Sequence, residues 1–150
     1  SRHSRLKTGR VEKIKENLIY IRDNIKVDGI LDMNHYGCLT GFNRKEVEEN
    51  KCGTAGCALG WSALLPKFKE EVNNSFNSWG EFDYDIFDNQ ILPGFFRDHQ
   101  ECWEFLFGYM WEDYDNTIKG FKKRVTFLLD YKGDYNDFTY DEENFKEGWS

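Results

Sequence analysis

The sequence predicts a mainly α-helical, compact single domain that spans residues 1–150. It should contain about four helices arranged around a buried Gly/Ala-rich helix, with room for a small β hairpin. Three observations predict this fold class. Apolar residues recur at helical spacing in separate stretches. An uncharged stretch from Cys52 to Pro66 interrupts a chain that is 31% charged. Finally, 39% hydrophobic and 17% aromatic residues in a chain of 150 exclude disorder and allow a sizeable core.

The first predicted helix follows a basic segment, residues 1–7, which we expect to be flexible. The hydroxyl of Thr8 is suited to cap the first turn. Helical spacing then places one apolar stripe toward the core, made of Val11, Ile14, Leu18, Ile21 and Ile25. The pair Asp28-Gly29 ends the pattern. The sequence therefore predicts a surface helix with one buried face.

The second predicted helix lies within the uncharged stretch and is apolar or small on every side. Thr54 is a candidate N-cap, and Pro66 predicts an end at Leu65. Gly56 and Gly60 lie one turn apart, and each costs about 1 kcal/mol relative to alanine in a helix interior. Two explanations would offset that cost. Another element approaches closely, or an anionic ligand lies against the Gly-Thr-Ala-Gly turn.

The segments around this helix give weaker patterns. Residues 29–40 predict a loop with a short strand, and residues 43–50 predict a surface turn of helix. Residues 67–94 show no regular period, although Phe82, Tyr84 and Ile86 alternate as in a strand. Because long irregular loops are often functional, we expect this segment to cover one side of a pocket.

Two further helices are predicted in the C-terminal third. Asp98 and Glu101 have capping-box spacing before Cys102, Phe105, Leu106, Tyr109 and Met110. Asn116 or Thr117 can cap the last helix, whose apolar stripe consists of Ile118, Phe121, Val125 and Leu128. Lys122, Lys123 and Arg124 are expected to face elsewhere. Residues 134–150 form an acidic, aromatic tail.

Charge restricts the classes of partner. With 27 acidic and 20 basic residues the net charge is −7, which opposes binding to nucleic acid and to anionic membranes. No stretch has the length of a membrane span, and no signal-peptide segment begins the chain, so we expect a cytoplasmic protein. A small anionic ligand would need a local basic or N–H-lined pocket.

The motif C-G-T-x-x-C-x-x-G-W begins at Cys52 and is followed by Ala63 and Pro66. It resembles a pattern in a largely uncharacterised family of small phage and prophage proteins. The run Trp111-x5-Thr117-x2-Gly120-x3-Arg124 is similar to the C-terminal half of the same group. The resemblance implies a phage origin and, for this protein, the host cytoplasm. It implies no catalytic residues.

Catalytic and metal-binding alternatives are weaker than their structural explanations. Cys52 with His35 or His99 would suit a cysteine-dependent hydrolase, but a structural cysteine at a tight turn is favoured. The pairs His35-x2-Cys38 and His99-x2-Cys102 have a spacing suited to zinc but lack the usual knuckle residues. Clusters of carboxylates are expected by chance in so acidic a chain. We therefore predict no catalytic residue, no metal site and no cofactor.

The sequence favours a non-enzymatic protein that sequesters a small anionic ligand, with a nucleotide-derived immune signal as the specific hypothesis. Backbone N–H groups, stacking tryptophans and one arginine would form the site, and two copies could close it. The first alternative is an acidic protein that binds and inhibits a host protein through residues 81–88 and 134–150. The second is the cysteine-dependent hydrolase. The predicted ligand-binding residues are Gly53, Thr54, Ala55, Gly56, Trp61, Trp79 and Arg124.

Overall fold

The computed structural model describes residues 2–26, 30–31, 42–49, 55–56, 58–107 and 117–139. The predicted mainly α-helical fold class is confirmed. The chain forms α1 (Arg2–Asn24), β1 (Ile30–Leu31), α2 (Arg44–Glu49), β2 (Ala55–Gly56), α3 (Ala58–Ser62), α4 (Lys69–Asn73), α5 (Tyr84–Ile91), α6 (Phe95–Asp98), α7 (Gln100–Phe107) and α8 (Ile118–Leu129). Two 3₁₀ turns, Pro66–Phe68 and Tyr135–Asp137, complete the described elements. More and shorter helices are present than the four predicted.

Helix α1 carries the predicted apolar stripe. Ile14, Leu18, Ile21 and Ile25 are buried, and Val11 packs at the edge of the core. This face contacts α8 and α5. The helix begins at Arg2, so the prediction that Thr8 caps its first turn is wrong.

The predicted helix from Thr54 to Leu65 is wrong in its first half. Ala55 and Gly56 form β2, which pairs in parallel with Ile30 and Leu31 of β1. Helix α3 starts only at Ala58 and ends at Ser62, and all its residues are buried, as predicted. A glycine at position 56 weakens a helix, while pairing with β1 gives its backbone groups partners. The short strand predicted within residues 29–40 is confirmed.

Residues 67–94 are more regular than predicted. Together with Pro66 they form the 3₁₀ turn Pro66–Phe68, followed by α4, a tight hairpin and α5. Phe82 makes an antiparallel bridge with Phe76, but Tyr84 already belongs to α5, so the strand-like alternation through Ile86 is misleading. The carboxylate of Asp83 caps α5 by accepting the backbone N–H of Asp85 at 2.9 Å.

The predicted capping box at Asp98 does not form. Asp98 ends α6, and its carboxylate binds the guanidinium of Arg97, with Nε to Oδ1 at 3.0 Å. Helix α7 starts separately at Gln100 and buries Cys102, Phe105 and Leu106, as the pattern indicated. Tyr109 and Met110 lie outside the described residues.

Helix α8 follows the prediction closely, with one correction. Thr117 Oγ1 accepts the backbone N–H of Gly120 at 3.0 Å and caps the helix. Arg124, expected to face away, is fully buried. The spacing explains this, because Arg124 lies three residues after Phe121 and four before Leu128, within the apolar stripe.

The chain after α8 returns to the core. Tyr135 and Phe138 are buried, and the ring of Phe138 packs against Phe105 and Tyr131 at 5.3 and 5.2 Å between centroids. The predicted tail beyond Thr139 lies outside the described residues. Among the helices that the structure describes, none combines the length and apolar character needed to cross a membrane.

Candidate functional site

The predicted ligand-binding residues occupy different environments. Gly53 and Thr54 lie outside the described residues, and Ala55 and Gly56 belong to β2 instead of a helix start. Trp61 is only 4% exposed and Arg124 is 0% exposed, whereas Trp79 is 83% exposed. The buried side chains of Trp61 and Arg124 are therefore inaccessible to a ligand that contacts the exposed ring of Trp79.

An open cleft lies elsewhere, between the N-terminal half of α1, the end of α6 and the turn after α8. It encloses about 980 Å³. We call it the α1–α6 cleft. Its lining residues come from these three segments and from the loop between α5 and α6: Arg10, Val11, Glu12, Ile14, Lys15, Pro93, Arg97, Asp98, His99, Lys132, Gly133, Asp134, Tyr135 and Asn136.

The lining of the cleft is locally basic. Its cations are Arg10, Lys15, Arg97 and Lys132, and His99 adds a titratable ring. The carboxylates are fewer, namely Glu12, Asp98 and Asp134. This balance has the opposite sign to the whole chain, whose net charge is −7.

One carboxylate of the cleft, that of Asp98, already forms an ion pair with Arg97. The hydrogen bond from Arg97 lowers the pKa of Asp98, and although partial burial opposes this, the charges of Arg97, His99 and Arg10 lower it further. Asp98 therefore stays ionised and offsets Arg97. Within the described part of the chain, Arg10 and Lys132 form no ion pair. They remain the cations best placed to meet an anion.

Tyr135 links the cleft to the core. Its ring meets His99 and Phe95 edge-on at centroid distances of 5.9 and 6.4 Å. Lys15 Nζ lies 5.5 Å from the centre of the same ring, within cation–π range. Burial, followed by the influence of Cys102, raises the pKa of Tyr135 to about 12, so the phenol stays protonated at neutral pH.

The buried thiol beneath the cleft is unreactive. Cys102 Sγ lies 3.5 Å from the carbonyl oxygen of Tyr135. Burial, with smaller effects from Glu101 and Asp134, raises the pKa of Cys102 to about 12. Because the thiolate is the nucleophilic form, this cysteine is unsuited to covalent chemistry.

Two glycines shape the loops that border the cleft. Gly94 has φ +72°, and its N–H donates a hydrogen bond to Asn89 Oδ1 at 2.9 Å. A Cβ at Gly133 would lie 2.6 Å from Tyr131 Oη and would displace that side chain. A side chain at position 133 therefore requires the outer end of the Tyr131 side chain to shift.

The sequence reasoning missed Arg10, Lys15, Lys132 and Tyr135 as site residues. The sequence contains a signal for two of them, because Arg10 and Lys15 lie directly beside Val11 and Ile14 of the apolar stripe on α1. No sequence pattern places Lys132 and Tyr135 at the cleft, because their position there depends on how the turn after α8 returns to α1.

The structure describes only some residues of the alternative cysteine-dependent and zinc sites. Cys52, His35 and Cys38 lie outside the described residues. His99 lines the α1–α6 cleft, whereas Cys102 is buried. Across the described ranges, no three His, Cys, Asp or Glu side chains converge in a geometry that could hold a metal ion.

Comparison with known proteins gives no relative for this chain. No protein-family model matches it, and neither does any curated protein or solved structure.

Proposed function

We propose that the protein captures a small anionic ligand in the α1–α6 cleft without transforming it. The observation that supports this is the surplus of cations around an open cleft in an acidic chain. Distant negative charge is screened over about 8 Å in physiological salt, so an anion inside the cleft responds mainly to the local cations.

The cations approach the cleft from three directions. Arg10 and Lys15 project from α1, Arg97 comes from α6, and Lys132 follows α8. Such an arrangement suits a ligand with several anionic oxygens, because charge-assisted hydrogen bonds can form on more than one side. Val11 and Pro93, which are both partly exposed, add apolar surface for the body of the ligand.

Capture without turnover is supported by the protonation of the nearby side chains. The pKa values of Cys102 and Tyr135, each raised to about 12, leave neither a thiolate nor a phenolate near pH 7. Neither group then serves as a nucleophile at the cleft.

The narrower proposal concerns the biology of the ligand. The resemblance of the C-G-T-x-x-C-x-x-G-W motif to phage proteins suggests a sponge for a nucleotide-derived signal of host immunity, acting in the host cytoplasm. This step rests on the motif, whereas the cleft supports anion capture in general.

We expect isothermal titration calorimetry with inorganic pyrophosphate, AMP and a cyclic dinucleotide to detect binding of at least one. Arg10→Gln and Lys132→Gln should each weaken that binding about tenfold or more, because each removes a charge-assisted contact. Native mass spectrometry should show the loaded protein, and denaturation of the same sample should release the ligand intact.

Lys119→Gln is the matched control, since Lys119 is exposed on α8 and does not line the cleft. It removes the same charge and should leave binding unchanged. If Lys119→Gln weakens binding as much as Lys132→Gln does, the attraction is diffuse and the cleft is not the site. Absence of binding to every probe would contradict anion capture, and release of a cleaved product would indicate an enzyme.

A further inference from the structure

Trp79 is the feature of the described surface least explained by folding. Its side chain is 83% exposed, at the end of a tight hairpin that we call the Trp79 hairpin, residues 75–83. A tryptophan in water exposes more apolar area than any other single side chain, and at protein interfaces tryptophans are enriched among the residues that dominate binding.

Hydrogen bonds hold the turn of the Trp79 hairpin in one conformation. The side-chain oxygen of Asn77 accepts the backbone N–H groups of Trp79 and Glu81 at 2.9 and 3.1 Å. The backbone carbonyl of Asn77 accepts the N–H of Gly80 at 3.0 Å, and the N–H of Asn77 donates to the backbone carbonyl of Glu81 at 2.9 Å. Gly80 has φ +75°, which a residue with a side chain rarely adopts.

The base of the hairpin is attached to the body of the protein. The N–H of Phe82 donates to the carbonyl of Phe42 at 2.7 Å. The rings of Phe76 and Phe82 meet edge-on at 5.8 Å, and Arg44 covers Phe76 at 4.3 Å. Trp79 is therefore presented on a rigid support, and a partner would not have to order the loop on binding.

The sequence around the hairpin is acidic. From Glu70 to Phe96 the chain contains no Lys, Arg or His, and its acidic residues are Glu70, Glu71, Glu81, Asp83, Asp85 and Asp88. Glu81 and Asp85 are exposed. An anionic membrane, a nucleic acid or a second copy of this acidic segment would be repelled.

We propose that the Trp79 hairpin docks on another protein, inserting Trp79 into an apolar pocket bordered by Lys and Arg side chains. Charge complementarity identifies this partner, since the carboxylates beside the tryptophan match a basic border. The surface is distinct from the α1–α6 cleft, none of whose lining residues belongs to the hairpin. The two proposals therefore succeed or fail separately.

The probe is a phage-displayed library of disulfide-closed peptides, selected on the purified protein and counter-selected on Trp79→Ala. We expect the selected peptides to be rich in Lys and Arg and to include apolar residues. Trp79→Ala should weaken their binding about tenfold or more, and Glu81→Lys should weaken it in a salt-dependent way. Since Trp79 is exposed, its loss should leave the fold intact.

Asn77→Ala tests the rigid support, because it keeps both the ring and the charges but removes the two bonds to the turn. It should weaken peptide binding, whereas Ile19→Ala, at an exposed apolar residue on α1, should not. Recovery of no Trp79-dependent peptide, or of acidic peptides, would overturn the proposal. Trp79-dependent dimerisation in sedimentation, or binding to vesicles of anionic lipid, would overturn it in favour of those partners.

Discussion

Asp88 is a carboxyl group placed where a charge is costly. It lies on α5 and is 6% exposed. Burial raises its pKa to about 7; Trp103 opposes the rise, and the charge of Asp85 adds to it. The Trp103 indole N–H makes no hydrogen bond of standard geometry within the described residues, so its help to the carboxylate is partial.

We predict that Asp88→Asn stabilises the protein at pH 8 and changes its stability little at pH 4. Above its ordinary pKa of 3.8 the carboxyl ionises in the unfolded chain, while the folded protein keeps it protonated up to about pH 7. The folded state therefore loses stability as pH rises from 4 to 7, by at most roughly 4 kcal/mol. Asparagine does not titrate, so it removes that loss.

Urea unfolding at pH 4, 6 and 8 measures this difference directly. Asp137→Asn, at an exposed aspartate in the final 3₁₀ turn, is the control and should show no such pH-dependent gain. An Asp88→Asn gain that is the same at pH 4 and pH 8 would contradict a buried, protonated carboxyl.

Single polar residues mark the limit of what the sequence predicts at this scale. Arg124 and Asn17 are both buried. Helical spacing places each of them on an apolar stripe, whereas the polar chemistry of each side chain favours exposure. The partner of Asn17 is the carbonyl of Ile91, 74 residues away. Burial of a polar side chain depends on such distant partners, whereas burial of an apolar side chain follows from its own chemistry.

At the scale of elements, helix α8 shows what local sequence determines. Its cap and its stripe were both predicted, because each depends on residues within four positions of one another. Helix α3 shows the opposite. The pairing of β2 with β1 joins residues about 25 apart, and it competes with a helix in a way that local propensity does not show.

We predict that Thr117→Ala lowers the free energy of unfolding by about 1 kcal/mol, because the N–H of Gly120 loses its acceptor. For a chain of this length the melting temperature should fall by roughly 2–4 °C. Thr117→Ser keeps the hydroxyl and should stay close to the parent in the same thermal melts. Equal losses in both variants would show that the methyl group, and not the cap, stabilises α8.

At the scale of the whole molecule, α1 packs against segments from the second half of the chain. It packs against α5 and α8, and its residues 10–15 form one side of the α1–α6 cleft. The sequence predicted the buried stripe of this helix but not its neighbours, because periodicity shows which face is buried and not what covers it. The cleft could not be predicted for the same reason.

Asn17 tests whether this assembly opens as one unit. Its Nδ2 donates to Ile91 O at 2.6 Å and so ties α1 to the last residue of α5, whose carbonyl has no donor within its own helix. We predict that Asn17→Ala lowers stability by about 1–3 kcal/mol. Asn24→Ala, which removes an exposed bond of the same type to Tyr20 O at 2.9 Å, should cost less than about 0.5 kcal/mol.

Native-state hydrogen exchange distinguishes a global effect from a local one. If α1, α5 and α8 form one cooperative unit, Asn17→Ala should reduce the protection of the slowest amides in all three helices by the same free energy. A loss confined to α1 would mean that this helix detaches while the rest stays folded. The α1–α6 cleft would then open with it, and a ligand bound to Arg10 and Lys132 together would restore the protection of α1.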